Sequence, residues 1–343
     1  MKAVRYTEHG DESVLRYSDV TDPEPGPADV LVAIAAASVN RLDLIQRAGP
    51  GLLPGYALPH IPGMDIAGTI VAVGADVDDA RVGERVVLNP AIACGRCLWC
   101  ERGGDDLCTS MMVVGASGDG GYAERCVVPA THALEIPDSV DFAEAATWPT
   151  AYSTAWHALF ASGELRLGET VVIHGASSGV SSAAIQLAAR AGATVIATAR
   201  GEEKLDWAAK LGAHLTINSQ RADIATAVRE ATDGRGADLV IDHVGPALFD
   251  ASLRSLRPRG RLVFFGTTTG ARVEMSLPSV YRTGLRLIGS ENYSGAEYAA
   301  MIAHLSSASL PSIIDRELPL DAAGEAHRLL ARGEVLGKLV LRP

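Results

Sequence analysis

From residue 170 onward, short apolar runs alternate with helical stretches, and this alternation constrains the fold more than any other feature of the chain. Residues 170–174 (Thr-Val-Val-Ile-His) read as a strand, 180–191 as a helix and 194–198 as a second strand. Residues 204–211 read as a helix, 215–218 as a strand and 224–232 as a helix, and 237–242, 248–256 and 261–266 continue the pattern. Strands joined through helices need crossover connections, which make the sheet parallel and cover both its faces with helices. Residues 280–288 read as a late strand of the same sheet.

The first strand of this series runs into Gly175-Ala176-Ser177-Ser178-Gly179-Val180-Ser181-Ser182, and an apolar helix follows. A glycine-rich turn there lets backbone approach a pyrophosphate, and the orphan N–H groups of the helix start favour negative charge. Ala176 and Ser181 stand where the G-x-G-x-x-G pattern has glycine, so the turn alone also fits a tight loop; its strand-helix-strand setting points to a dinucleotide site. The second strand ends Thr198-Ala199-Arg200-Gly201, with Lys204 one turn on and no acid at the tip. An acid there would suit the ribose hydroxyls of NAD, whereas Arg200 suits the 2′-phosphate of NADP, so NADP(H) is expected over NAD(H). The competing reading makes Arg200 a solvated charge beside Glu202 and Glu203.

Before residue 135 the pattern changes to short strands punctuated by Gly and Pro: 29–39, 65–73, 84–89 and 122–129, with a short helix at 40–47. That predicts a β-rich or barrel-like domain. Residues 142–161 form a long apolar helical stretch. The tail carries helices at 296–305 and 322–331, an extended piece near Ile314 and a strand at 338–341, and is expected to return to the first domain. At 343 residues the chain exceeds the size of one core, so the expected division is 1–135 with 296–343, and 136–295.

Four of the five cysteines, Cys94, Cys97, Cys100 and Cys108, fall in one short segment, while Cys126 lies in an apolar strand. An odd count without a secretory leader argues against a disulfide framework. The spacing matches a tetrahedral all-thiolate zinc site, and a closed four-cysteine site has no open position for chemistry, so one structural zinc per chain is expected. A net charge of −11 with no basic block argues against nucleic acid and anionic membranes. No run reaches a membrane span, and the start of the chain lacks a signal peptide's apolar stretch, which points to the cytosol.

Taken in order, several segments carry a resemblance. They are Ser38-Val39-Asn40-Arg41-Leu42-Asp43, Pro62-Gly63-Met64-Asp65-Ile66-Ala67-Gly68, Val82-Gly83-Glu84-Arg85-Val86, the four-cysteine loop, Pro149-Thr150-Ala151-Tyr152, the 175–182 turn and Gly337-Lys338-Leu339-Val340-Leu341. Together they resemble the medium-chain dehydrogenase/reductase superfamily over essentially the whole chain. The resemblance implies an α/β fold: a GroES-like catalytic domain, discontinuous in sequence, and a Rossmann doubly wound domain, with the active site in the cleft between them. Alcohol dehydrogenases of that superfamily hold a second, catalytic zinc through Cys, His and Cys, beside a Glu. The matching positions here are Asn40, Met64 and Ala146, with Asp65 for the Glu, which removes the Lewis acid an alkoxide needs. Asn40, Asp43 and the Pro-Gly-x-Asp pattern are instead similar to the quinone oxidoreductase and enoyl reductase branch, most of which lacks the cysteine loop.

The resemblance therefore implies hydride transfer to a carbon–carbon double bond conjugated to a carbonyl, with fixed donors stabilising the enolate and a side chain or water protonating the α-carbon. The acceptor is an enone or an enoyl group, including an acyl-CoA thioester. A quinone reductase and a non-catalytic dinucleotide-binding protein are the alternatives, and a metal held by His60 and Asp65 would revive alcohol oxidation. Asn40 is implied to face the nicotinamide. Tyr56 is a candidate proton donor or a pocket wall, Asp43 and Asp65 are candidate catalytic groups or orienters, and His60 a loop cap. Trp148, Tyr152 and Tyr293 shape the pocket or pack a seam, and His157 and His174 read as core or interface histidines. Thr150, the 175–180 backbone, His243, Val244, Phe265, Gly266 and Thr267 are expected to line the cofactor, the last five because ligands of open α/β sheets bind at strand C-terminal ends. In relatives the last strand of the Rossmann sheet pairs with its twin, which implies a homodimer.

Overall fold

Six parallel strands stand side by side in the order Leu215–Asn218, Thr194–Ala199, Thr170–Ile173, Ala237–Asp242, Leu256–Phe264, Arg286–Gly289. The computed structural model describes residues 1–50 and 55–343; residues 51–54 lie outside the described residues. The chain divides into two compact units, Thr154–Asn292 and a discontinuous one made of Met1–Ser153 and Tyr293–Pro343.

The 154–292 unit owes its sheet to the apolar runs seen in the sequence. Val171, Val172, Ile173, Val195, Ile196, Leu239, Val240, Leu262 and Val263 are all buried, and the helices Gly179–Arg190, Ile224–Ala231 and Pro246–Ser255 each bury an apolar stripe. Strands buried on both faces read as continuous hydrophobic runs, which is why this half was legible. Its last strand is shorter than expected. Leu277–Tyr281 is a helical turn with Pro278 in its first turn, and the strand begins only at Arg286. Proline suits a helix start because its missing N–H has no partner there, and that overrides the apolar run.

The other unit is built on a seven-stranded, mostly antiparallel sheet. Its main path is Ile314–Pro319, Lys338–Arg342, Asp29–Ser38, Asp65–Val73, Arg85–Leu88, Ala133–Glu135, and Arg125–Pro129 also pairs with Asp29–Ser38. The C-terminal strand thus sits beside the long strand near the N-terminus, with Val340 opposite Ser38, and Ser38 opposite Asp65 on the other side. This register gathers residues from three distant parts of the sequence at one end of the sheet. Residues 136–153, expected in the dinucleotide-binding half, belong to this unit. The Phe142–Ala146 helix packs on strands Asp29–Ser38 and Asp65–Val73. The helical stretch continues through wide π-turns at Trp148–Tyr152 and His157–Ser162. Among the described residues no helix is long and apolar enough to cross a membrane.

Candidate functional site

In the 154–292 unit the expected cofactor residues converge at the C-terminal ends of neighbouring strands. Gly175 has φ +64°, and a Cβ there would lie 3.0 Å from His243 Nε2, so the turn needs glycine to pass beneath the histidine. Ser178 caps the twelve-residue helix by accepting the Ser181 N–H. The helix leaves its first N–H groups, at Gly179 and Val180, without i−4 partners. Ser181 replaces a glycine of the usual pattern, and its hydroxyl donates to the His174 carbonyl at 2.7 Å and lies 2.9 Å from His243 Nε2. His243 stacks on Phe265 at 5.8 Å, and its carbonyl accepts from the Thr268 hydroxyl at 3.0 Å. Asp242 accepts the Val244 and Gly245 N–H groups, which fixes the turn after the fourth strand. His174, by contrast, is wholly buried between Thr198 and Ser252 and is pushed by burial down to about 4, so it is a neutral core residue. A glycine turn, a helix start with free N–H groups and open strand ends are the donor set a dinucleotide pyrophosphate requires, and these residues fit that group.

Arg200 is exposed at the tip of the second strand, and among the described residues it pairs with no acid. Glu202 turns away from it, accepting from Arg221 at 2.9 Å and Asn218 at 3.0 Å. Of the two acids that weakened the NADP argument in the sequence, Glu202 is thus engaged elsewhere.

Cys94, Cys97, Cys100 and Cys108 bring their sulfurs within 4.8 Å of one another, and Cys97 and Cys100 lie 3.5 Å apart. Tetrahedral zinc–thiolate geometry needs sulfur separations of about 3.8 Å. Backbone N–H groups of Cys94 and Ser110 point at the Cys108 sulfur, and those of Cys100 and Thr109 hold the Cys97 thiol down to about 6. The four residues fit a structural zinc. Cys126 is buried apart from them, its thiol raised to about 12 by burial.

The positions corresponding to a catalytic zinc do not fit one. Met64 and Ala146 are buried and offer a thioether and a methyl group. Asp65 is saturated: one oxygen accepts from the Thr150 N–H (3.0 Å) and hydroxyl (2.5 Å), the other from the Ser38 hydroxyl (2.8 Å) and the Lys338 ammonium (3.0 Å). Lys338, itself buried, also donates to the Val39 carbonyl and to Asn40 Oδ1 at 2.6 Å. An ammonium group therefore stands where a metal would need these oxygens. His60 packs against the Tyr6 and Tyr56 rings with Nε2 3.0 Å from the Gly115 carbonyl, so that nitrogen is already engaged.

Lys338 decides what Asn40 presents. Lysine only donates, so Asn40 must turn its oxygen to it, and Nδ2 is left as a buried donor with no partner. Asp43 accepts the Asn40 N–H at 2.8 Å and the Tyr122 hydroxyl at 3.1 Å on one oxygen, and its other oxygen is buried and unpartnered. Burial raises its carboxyl to about 7. Tyr56 donates to the Tyr6 hydroxyl at 3.3 Å and stacks on His9. Trp148, Tyr152 and Tyr293 are buried. Sequence reasoning named Asn40, Asp43, Asp65 and Thr150 but passed over Lys338, whose one signal was a charge inside an apolar terminal strand.

Two family patterns match the chain: the alcohol dehydrogenase GroES-like domain over residues 26–138 and the zinc-binding dehydrogenase domain over residues 179–307. An alcohol dehydrogenase of Geobacillus stearothermophilus is 32% identical over 330 residues, 96% of each chain. A quinone oxidoreductase of Pseudomonas aeruginosa is 31% identical over 351 residues (100% of this chain and 99% of that one), and a 2-haloacrylate reductase of a Burkholderia species is 30% identical with the same coverage. The crystal structure of an NAD-dependent alcohol dehydrogenase superposes with a TM-score of 0.95 at 37% identity over all of both chains. Fold, motifs and relatives agree: the chain belongs to the medium-chain dehydrogenase/reductase superfamily and is an NAD(P)-dependent oxidoreductase of that group.

Proposed function

We propose that this enzyme uses NADPH to reduce carbon–carbon double bonds conjugated to a carbonyl, without a catalytic metal. The observation that carries the reading is the Asn40 amide: a buried N–H donor without a partner, its orientation locked by Lys338. Such a preorganised donor stabilises the negative charge that develops on a carbonyl oxygen, and it does so most strongly away from water. The bound nicotinamide supplies the hydride. Asn40 Nδ2 binds the substrate carbonyl, Lys338 and Asp65 keep that amide from rotating, and Tyr56, whose hydroxyl bonds Tyr6, is a candidate proton donor. The haloacrylate reductase among the relatives acts, by its name, on this class of bond. Exposed Arg200 supports NADPH as the reductant, and the four-thiol cluster supports one structural zinc per chain. Pairing of the Arg286–Gly289 edge strand with a second copy belongs to the same reading.

The test is NADPH oxidation against small enones, acrylates and quinones, with NADP reduction by alcohols as the counter-assay. Enones or acrylates should turn over, and Asn40→Ala should lower kcat by about 10²–10³-fold with NADPH affinity retained. The quinone oxidoreductase relatives motivate the second reading, which turnover of quinones alone would establish in place of the first. An Asn40→Ala enzyme with full turnover would remove the amide from the mechanism.

A further inference from the structure

We infer that His327, on the Ala323–Arg332 helix near the C-terminus, is a positioning residue for Asn40, acting through a one-way hydrogen-bond chain from Arg47 through His327 and Tyr122 to Asp43. The inference rests on the reading of Asn40 as the carbonyl donor. The chain's direction follows from its first member. Arg47 lies 3.0 Å from His327 Nδ1, and a guanidinium has donors and no acceptor, so Nδ1 must accept. The ring is buried beside a cation and stays neutral, so its one proton sits on Nε2. Nε2 faces the Tyr122 oxygen at 3.1 Å and donates to it, and the Tyr122 hydroxyl proton is then left for Asp43 Oδ2 at 3.1 Å. Asp43 passes the constraint on by accepting the Asn40 N–H at 2.8 Å on the same oxygen.

The Asp43–Asn40 bond belongs to the capping box at the start of the helix, and the buried chain behind Asp43 ties that box to the C-terminal segment. An asparagine at a helix N-cap ordinarily turns its side-chain oxygen to the first-turn N–H groups. Here Lys338 also donates to that oxygen, and Asp43 completes the capping box by accepting the Asn40 N–H, while Asp43 is itself secured by Tyr122. Tyr122 is in turn packed against Gly63, which has φ +106° and where a Cβ would lie 2.4 Å from the ring. Every member from Arg47 to Asp43 is buried, so solvent cannot substitute for a lost partner. His327 is thus the junction at which a helix of the C-terminal segment sets the geometry of a residue near the N-terminus.

Histidine-labelled protein read by long-range proton–nitrogen NMR tests the chain directly, with the 327 signal identified by its loss in His327→Gln. The expected result is a neutral Nε2–H ring that does not titrate across the neutral pH range. A titrating ring, or a proton on Nδ1, would overturn the inference. In turnover, His327→Leu should lower kcat by on the order of 10- to 100-fold with NADPH affinity and zinc content retained. His327→Gln, which accepts through its oxygen and donates through its nitrogen, should recover most of that loss. Equal turnover of the Leu variant and wild type, or a folded Gln variant no better than Leu, contradicts the positioning role. If wild-type protein reduces no acceptor, the proposed reaction fails, and the Asn40 side-chain amide resonance decides the inference separately. That signal should move in the Leu variant and stay near its wild-type place in the Gln variant; an unmoved signal in both refutes the link. Should the Leu variant not fold, the ring tautomer and the Gln variant still decide between the two outcomes.

Discussion

Asn40, Lys338 and Asp65 show how a charge can serve orientation. The Lys338–Asp65 pair is almost fully withdrawn from solvent, with the two side chains 4% and 0% exposed. A buried pair is weak evidence for net stability, but removing one member leaves the other charge uncompensated at a cost of about 3–5 kcal/mol. Lys338→Met should therefore lower stability by roughly that amount in urea titrations and reduce kcat as well, since Asn40 can then rotate. Unchanged stability with normal turnover would mean the ammonium neither pairs nor orients. Asp43 gives a second test. Its folded carboxyl is raised by burial to about 7 against an ordinary 3.8, so the folded state holds the proton more tightly than the unfolded state. The associated stability is complete below pH 3.8 and is lost as pH rises through about 7. Relative to Asp43→Asn, wild-type protein should lose up to about 4 kcal/mol across that window, and parallel curves would contradict it. Asn40, Asp43 and Asp65 were legible as candidates because a family pattern surrounds them. Lys338, Tyr122, Arg47 and His327 were not, because their meaning lies in contacts across as many as 299 residues of sequence.

At the level of elements, the glycine turn and the cysteine loop were readable because each function needs its residue types at short, fixed spacing. Gly175 is required by φ and by His243 above it, and the four thiols converge within one loop. Substitution of Ser181 for glycine proved compatible with the turn because its hydroxyl bonds the His174 carbonyl. The late strand was misjudged where a proline-started helical turn broke an apolar run, and residues 136–153 group with the sheet on which the Phe142–Ala146 helix packs. Arg200 supplies the prediction at this scale. With Glu202 held by Arg221 and Asn218, Arg200→Ala should weaken NADPH binding by about tenfold or more and leave NADH binding nearly unchanged, measured by fluorescence titration. Equal losses for both cofactors would return Arg200 to the status of a surface charge.

Across the whole molecule, the discontinuity of the first unit has a chemical consequence. The C-terminal segment contributes a strand to the sheet, and with it Lys338 beside Asn40, and a helix that delivers His327 to Tyr122. The candidate donor is thus assembled from both ends of the chain. The superfamily's alcohol-oxidising members need a Lewis acid at positions that here hold an amide, a thioether and a methyl group, with an ammonium alongside. The relatives carry names from both chemistries, so identity of fold does not choose between them. The most direct test of the central claim is NADPH oxidation with a small enone on protein whose zinc has been counted by metal analysis. The account predicts one zinc per chain together with enone-dependent turnover. Two zincs per chain, or alcohol-driven reduction of NADP with no enone turnover, would contradict it and make this an alcohol dehydrogenase with an unforeseen metal site.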